Sequence, residues 1–487
     1  MRKLTIFCLF FSQMTFASFD MNKKIERSYF YILNLEFEKA NILLDKELLK
    51  ESSNGLVTLY KNYIDFLTII ITEDYDYFKS HQHFKKERLK ILEKHNRESP
   101  YYLYSKAEIY LQWAFSRLKF QQYSTAIYEL ITAYKLLEDN KKKFPEFTLN
   151  NKSLGVIHTI LGAIPDKFHW LLNIAGLKGS ISLGINELNT VLNDNEFDMY
   201  EQETLFLISF LQMNLGNNDS LCLTYLKRIG DRYQENVLLA FAAARLSNHL
   251  GRNDYCIEVL NNNNNDSRIN FSYFHYLKGM SYLYKLNYNR AKLEFNKFLS
   301  EFKGKNYIKS TYHKLAWIAY LENDDDIKSK FFNSTITSGH NFIDEDKVAF
   351  IEATKRYVSP KVLLKSRLLY DGGYYNLALD EIMGVETNYF SSNLDKMEYY
   401  YRLSRIQSKL NYSNEIIIAN YHKVLTLNTK DENYYAPMSA LQIALIYEQE
   451  NDLKNAEIFF KKCLAMTGFD YERGIHQKAK AGLERIY

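Results

Sequence analysis

The sequence predicts an all-α chain built from antiparallel helix pairs, and three observations lead there. Gly and Pro together supply 23 of 487 residues, about 5% against a usual share of roughly 12%. Hairpins, barrels and phosphate-cradling loops need those residues for turns and for positive φ, so sheet-rich and Rossmann-type folds are excluded. Tyr (40), Phe (32) and Trp (3) give an aromatic share of 15%, which rules out disorder and supplies a large core. The third observation is a recurring register of small, aromatic and alanine residues.

That register is a small residue, two others, an aromatic, five others, an aromatic, two others, Ala, three others and a bulky residue. Gly279, Tyr282, Tyr288, Ala291, Phe295 and Phe298 follow it, as do Ala444, Tyr447, Leu453, Ala456, Phe460 and Cys463. Ser28, Tyr31, Phe37, Ala40 and Leu44 match near the start; Ser366, Leu369, Tyr375, Ala378 and Ile382 match later. Ala114, Tyr123, Ala126, Leu130 and Ala133 match with Arg117 in place of the first aromatic. A small residue in one helix and Ala in the next let two antiparallel helices approach closely, and aromatics fill the space between pairs. This spacing resembles the tetratricopeptide repeat (TPR). The resemblance implies a right-handed superhelical solenoid whose first helices line a concave, partner-binding surface.

The anchoring alanines Ala40, Ala126, Ala291, Ala378 and Ala456 are separated by multiples of about 40 residues, longer than a plain repeat. Weaker helix pairs fill the intervals at 55–95, 150–193, 200–231, 235–261, 307–337 and 394–427, for about eleven pairs in all. Pro100, Pro360 and Pro437 each stand at the start of an apolar-periodic run, where the first helical turn tolerates a missing N–H. The expected organisation is a leader at 1–17, TPR-like helices at 18–145 and an irregular glycine-containing block at 146–194. TPR-like pairs then run over 195–470, and a solvated capping helix over 471–487.

Residues 1–17 have the layout of a secretory signal peptide. Arg2 and Lys3 precede an apolar run from Leu4 to Phe11, and Thr15-Phe16-Ala17 offers a small-residue cleavage site after Ala17. The run is too short to span a bilayer. Cys8 lies inside it, behind Phe7, where a lipid-modified cysteine would not be placed. The expectation is export to the periplasm or outer-membrane surface, not as a lipoprotein. Removing the leader takes two positive charges from a net +4. A near-neutral chain is a poor nucleic-acid binder. Cys222, Cys256 and Cys463 are far apart, form no CxxC pair and sit in apolar-periodic stretches, as buried thiols do.

Residues 155–184 break the pattern, with Gly155, Gly162, Gly176, Gly179, Gly184 and Pro165. The block resembles a glycine-bearing segment found in some TPR-containing proteins of bacterial envelopes and in a eukaryotic inclusion-clearance family. Two readings of its residues stay open. One is a tightly packed irregular repeat; the other is an apolar contact block of Pro165, Phe168, Trp170 and Leu171 facing a membrane or partner. His158 and His169 would line a ligand pocket in a third, less economical reading.

No HExxH, GxSxG, P-loop or GxGxxG motif is present, so no catalytic, cofactor or metal residues are assigned. His81 and His83 are two apart and point to different sides of a helix. Asn323-Asp324-Asp325-Asp326 lacks the ligand spread and Gly bend of a calcium loop. The expected function is a non-catalytic scaffold binding a protein or peptide of the envelope. The alternatives are a SusD-like glycan-binding protein and an all-α glycan-acting hydrolase, both of which use more Gly-rich loops. Residues flanking the small anchors are expected on the concave face: Tyr276, Met280 and Tyr284; Phe241, Arg245 and His249; Arg367 and Tyr370. Aromatics with a few Arg are the palette of interface hot spots. The repeated Lys and Asn of a terminal-carboxylate clamp are missing.

Overall fold

A computed structural model describes residues 19–49, 54–164, 176–216, 218–262, 269–428 and 433–487. The leader at 1–17 and the proposed contact residues Pro165, Phe168, Trp170 and Leu171 lie outside the described residues, as does His169. Among the described residues the secondary structure is helical, and successive helices fall into the pairs that the repeat register predicts. No helix among them is long and apolar enough to cross a membrane.

The chain divides into two compact units. The first takes in the described residues up to Leu250, with Tyr255–Phe274 and Ser300–Lys305. Within it, Lys23–Leu33 pairs with Phe37–Leu48, Pro100–Lys119 with Tyr123–Lys143, and Asn150–Gly162 with Ile181–Leu192. The second takes in Gly251–Asp254, His275–Leu299 and Asn306–Tyr487. There Ile308–Leu321 pairs with Asp325–Thr337, Lys361–Asp371 with Tyr375–Ile382, Asn393–Lys409 with Asn414–Leu427, and Tyr435–Gln449 with Leu453–Ala465. Asp344–Lys355, a first-type helix without a second, sits against Ile308–Leu321. Glu472–Ile486 closes the chain on Leu453–Ala465, burying Ile475, Ala479 and Gly482.

The small and alanine positions of the register are the interior. Ser28, Ala40, Ala291, Ser366, Ala378, Ala444 and Ala456 are all 0% exposed. A Cβ on Gly279 would stand 2.5 Å from the Phe295 ring, so that ring takes the space a larger anchor would need.

The residue three after each anchor has a backbone role. The carbonyl of Tyr31 accepts from Glu36 N, Arg117 from Gln122, Tyr282 from Asn287, Leu369 from Tyr374 and Tyr447 from Asp452, all at 2.9–3.0 Å. This six-to-one bond is the Schellman closure of a helix C-terminus, and it needs a left-handed residue in the turn. Leu35 (φ 60°), Gln121 (59°), Leu286 (57°), Gly373 (83°) and Asn451 (61°) supply it. A chain poor in Gly therefore closes its pairs with ordinary side chains held at positive φ. Ala319 to Asp324 and Gln407 to Tyr412 make the same bond at 2.9 and 3.0 Å, which puts Ala316 and Ser404 in the anchor position of two further repeats.

The glycine block is a close helix crossing at its described residues. A Cβ on Gly155 would lie 2.7 Å from Gly184 O, and one on Gly184 would lie 2.3 Å from Gly155 O and 2.2 Å from Thr159 Oγ1. Asn150–Gly162 and Ile181–Leu192 thus meet backbone to backbone, which only Gly at both positions permits. His158 is buried beside this crossing with Nδ1 on Glu187. Cys222, Cys256 and Cys463 are buried, and burial pushes the thiols of Cys222 and Cys463 up to about 11 and about 12.

Candidate interaction groove

In the second unit, two successive first helices carry the same local sequence, a buried serine followed by arginine. Ser366 Oγ donates to Ala378 O at 2.9 Å, tying a first helix to its second, while Ser404 Oγ donates to Tyr400 O of its own helix at 2.9 Å with Ile417 O of the second helix 3.4 Å away. Arg367 and Arg405 follow these anchors directly, and Trp317 follows Ala316 in the same way. Equivalent register positions on stacked first helices share a face, so these three side chains line one strip.

The strip is a set of cations resting on aromatic rings. Lys314 Nζ lies 3.5 Å from the centroid of Trp317, and Arg367 Cζ lies 5.0 Å from the same ring. Arg405 Cζ lies 4.2 Å from the centroid of Tyr370 and 5.6 Å from that of Tyr401. Tyr401 packs against Tyr435 at 5.2 Å, and Tyr434 meets Tyr401 and Tyr471 edge-on at 5.8 and 5.7 Å. Beneath them Glu398 is satisfied: Arg402 Nε donates to it at 2.7 Å and Ser359 Oγ at 2.8 Å.

Two carboxylates share the groove. Asp371 Oδ2 is 3.8 Å from Arg367 Nε, with the two side chains 33% and 30% exposed. Glu352 Oε2 is 3.2 Å from His313 Nε2 and is 31% exposed. Lys314 and Arg405 have no carboxylate within 4.0 Å among the described residues; their partners are ring faces. Burial, then the charge of Arg367, brings the Lys314 ammonium down to about 7. Burial alone would raise Glu352, but His313 at 3.2 Å and the charges of Arg367 and Lys314 outweigh it and hold the carboxyl at about 2. Burial takes His313 down to about 4, so at neutral pH it is an uncharged imidazole beside an ionised Glu352. The groove can hold anions beside flat apolar faces. No group of His, Cys, Asp and Glu able to hold a metal ion occurs among the described residues.

Of the concave-face residues expected from sequence, Arg367 and Tyr370 come together here. Tyr276 is 4% exposed, its ring 4.8 Å from Tyr307 and its hydroxyl 3.0 Å from Ser310 Oγ. Met280 and Tyr284 are half-buried on the same helix. Phe241, Arg245 and His249 belong to the first unit. Phe241 packs in an aromatic group with Phe271 at 5.4 Å and Phe206 at 6.2 Å. Arg245 is half-buried, and His249 is exposed with Nε2 3.0 Å from Asp219.

Lys314, Trp317 and Arg405 were not picked out by sequence. Their repeats have Ala319 and Gln407 where the register calls for an aromatic. The usable signal was the Ser-Arg dipeptide, recurring at 366–367 and 404–405.

The family model described as Iml2/Tetratricopeptide repeat protein 39 matches residues 148–359. The match takes in the glycine crossing and the helices that carry Lys314, Trp317 and Glu352, and it stops before Arg367. No curated protein matches the chain. Register, helix pairing and this likeness agree on a TPR-like repeat chain.

Proposed function

We propose that this TPR-like chain is a non-catalytic scaffold of the cell envelope, binding a protein or peptide partner in the groove of its second unit. The observation that carries the reading is the cation-on-aromatic strip of Lys314, Trp317, Arg367, Tyr370 and Arg405. Arg367, Tyr370 and Arg405 are half-buried over a buried Trp317; Arg with aromatic side chains is the composition of interface hot spots, and stacked first helices present such strips along an extended surface. The likeness to a tetratricopeptide family favours a protein partner over a glycan. The location rests on the leader pattern of Arg2, Lys3, the Leu4 to Phe11 run and Ala17, and the periplasm or outer-membrane surface follows from export.

Two measurements test it. Affinity capture from envelope extract should retain a stoichiometric partner on the native chain and lose it with Arg367→Ala and Tyr370→Ala variants of unchanged melting temperature. Retention of every partner by both variants would remove the groove from the binding surface. Fractionation with N-terminal mass determination should find a mature chain beginning at Ser18 outside the cytoplasm, and a cytoplasmic chain retaining Met1 would overturn the location.

A further inference from the structure

We infer that the groove of the second unit recognises an extended acidic peptide segment, with side-chain carboxylates seated on two cationic centres. This rests on the scaffold reading and specifies its partner. The first centre is Lys314 and Arg367, which share the ring of Trp317. The second is Arg405, held over Tyr370 and Tyr401. At Arg405 the aromatic faces fix the cation in place without neutralising it, so its N–H donors remain to be satisfied from the groove; at the first centre Arg367 has Asp371 only at 3.8 Å, leaving N–H donors for a second carboxylate. Lys314 and Arg405 have no carboxylate within 4.0 Å among the described residues, whereas the neighbouring Arg402 is fully engaged by Glu398. Along the strip Arg402 is paired with Glu398 and Arg367 with Asp371 at 3.8 Å, while Lys314 and Arg405, both half-buried, face rings.

Charge complementarity then names the occupant. A carboxylate approaching Arg405 gains a bidentate partner in a site already partly stripped of water, where such a bond is stronger than at an open surface. Tyr370, half-buried beside Arg405, suits an apolar part of an extended chain. Glu352, held ionised, and Asp371 flank the cations; they repel a continuous phosphate backbone but tolerate separated carboxylates, and can accept from peptide N–H groups. A nucleic acid is therefore the disfavoured occupant. The anchoring groups are Arg and aromatic rings spread along three first helices, so the recognised carboxylates are internal side chains of the segment, and its C-terminus is not required.

The test uses the full chain and fluorescein-labelled octapeptides, amidated at the C-terminus, in anisotropy titrations at low salt. An alternating Asp/Glu peptide should bind at least about tenfold more tightly than its Asn/Gln counterpart. Arg405→Gln and Arg367→Gln should each weaken it by about fivefold or more, and raising salt to 0.5 M should weaken it similarly. Circular dichroism melts verify folding. Should a variant unfold, Lys314→Gln reads the same centre. Equal binding of the Asn/Gln peptide overturns the acidic assignment and leaves the scaffold reading standing. A phosphorylated oligonucleotide of equal charge, or inorganic phosphate, competing as well as the peptide overturns it in favour of phosphate recognition. No measurable binding of the acidic peptide at 1 mM also overturns it, and partner capture in the preceding test then decides the scaffold reading separately.

Discussion

Lys152 Nζ donates to Glu203 Oε2 at 2.8 Å in the interior of the first unit, and its second carboxylate, Glu108, lies 3.3 Å away. The lysine side chain is 2% exposed, and Tyr63 joins the cluster with its hydroxyl 2.6 Å from Glu108. Burial disfavours the Lys152 charge, but the two glutamates outweigh it and raise the ammonium above its ordinary range. Lys152→Met would leave both carboxylates without their cation, and should cost about 3–5 kcal/mol in denaturant titrations. A loss below about 1 kcal/mol would show the carboxylates to be hydrated or protonated.

The same cluster sets the alkaline limit. A raised lysine contributes stability that is complete below its unfolded value, about 10.4, and is lost as pH rises through the folded value. Tyr29, Tyr60, Tyr63, Tyr104 and Tyr200, all raised by burial, act in the same direction from about pH 10. The melting temperature should therefore fall steeply above pH 10. A level profile to pH 11 would contradict the burial of these phenols.

Lys314 predicts the opposite trend. Its ammonium is lowered to about 7 by burial, then Arg367, against the pull of Glu352, Asp371 and Glu345. A depressed lysine contributes nothing adverse above about pH 10.4; its penalty grows as pH falls from there towards 7 and is complete below it. Lys314→Gln should raise the melting temperature more at pH 6 than at pH 9. An equal change at both would place the Lys314 ammonium in solvent.

At the glycine crossing, Gly155→Ala or Gly184→Ala forces a Cβ to within 2.7 or 2.3 Å of a facing carbonyl. Each should destabilise by about 1–3 kcal/mol, since two backbones must separate. Gly474→Ala, in a helix where an added Cβ meets nothing within 4 Å, should be neutral or stabilise by about 0.5–1 kcal/mol. Thermal melts of the three variants distinguish tight packing from a general sensitivity to lost glycine.

The pair closures predict gains. Gln121 and Asn451 sit at φ 59° and 61°, where a non-glycine residue is strained by about 1 kcal/mol. Gln121→Gly should raise the melting temperature by a few degrees, and Gln121→Val should lower it. Equal effects from both would mean the turn relaxes out of the left-handed region.

The helix pairs were legible because their anchors are small residues whose type is imposed by contact: Ala40, Ala291, Ala378 and Ala456 have no room to be otherwise. The repeats at Ala316 and Ser404 were harder to see. The residue three after the anchor serves through its main-chain carbonyl, which every residue carries, so Ala319 and Gln407 fit the structure while breaking the pattern. Helix Asp344–Lys355 was missed for a related reason, having no second helix to complete a register. Arg367 and Tyr370 could be placed on a face from periodicity, but their use of Trp317 and Arg405 depends on how neighbouring repeats stack, which no single repeat records. Tyr276 shows the converse, an aromatic in register whose ring is taken up by Phe298 and Tyr307.

The left-handed closure after each first helix has an evolutionary consequence. Leucine, glutamine, asparagine and glycine all occupy that turn here, so what is inherited from repeat to repeat is a backbone shape, and residue identity there is nearly free to drift. Ancestral relationships within such an array are better traced by aligning its closing hydrogen bonds than by aligning its letters. On that ruler, Ser366-Arg367 and Ser404-Arg405 stand at equivalent places in two repeats, each ahead of a closure made by a different residue, Gly373 in one and Asn411 in the other.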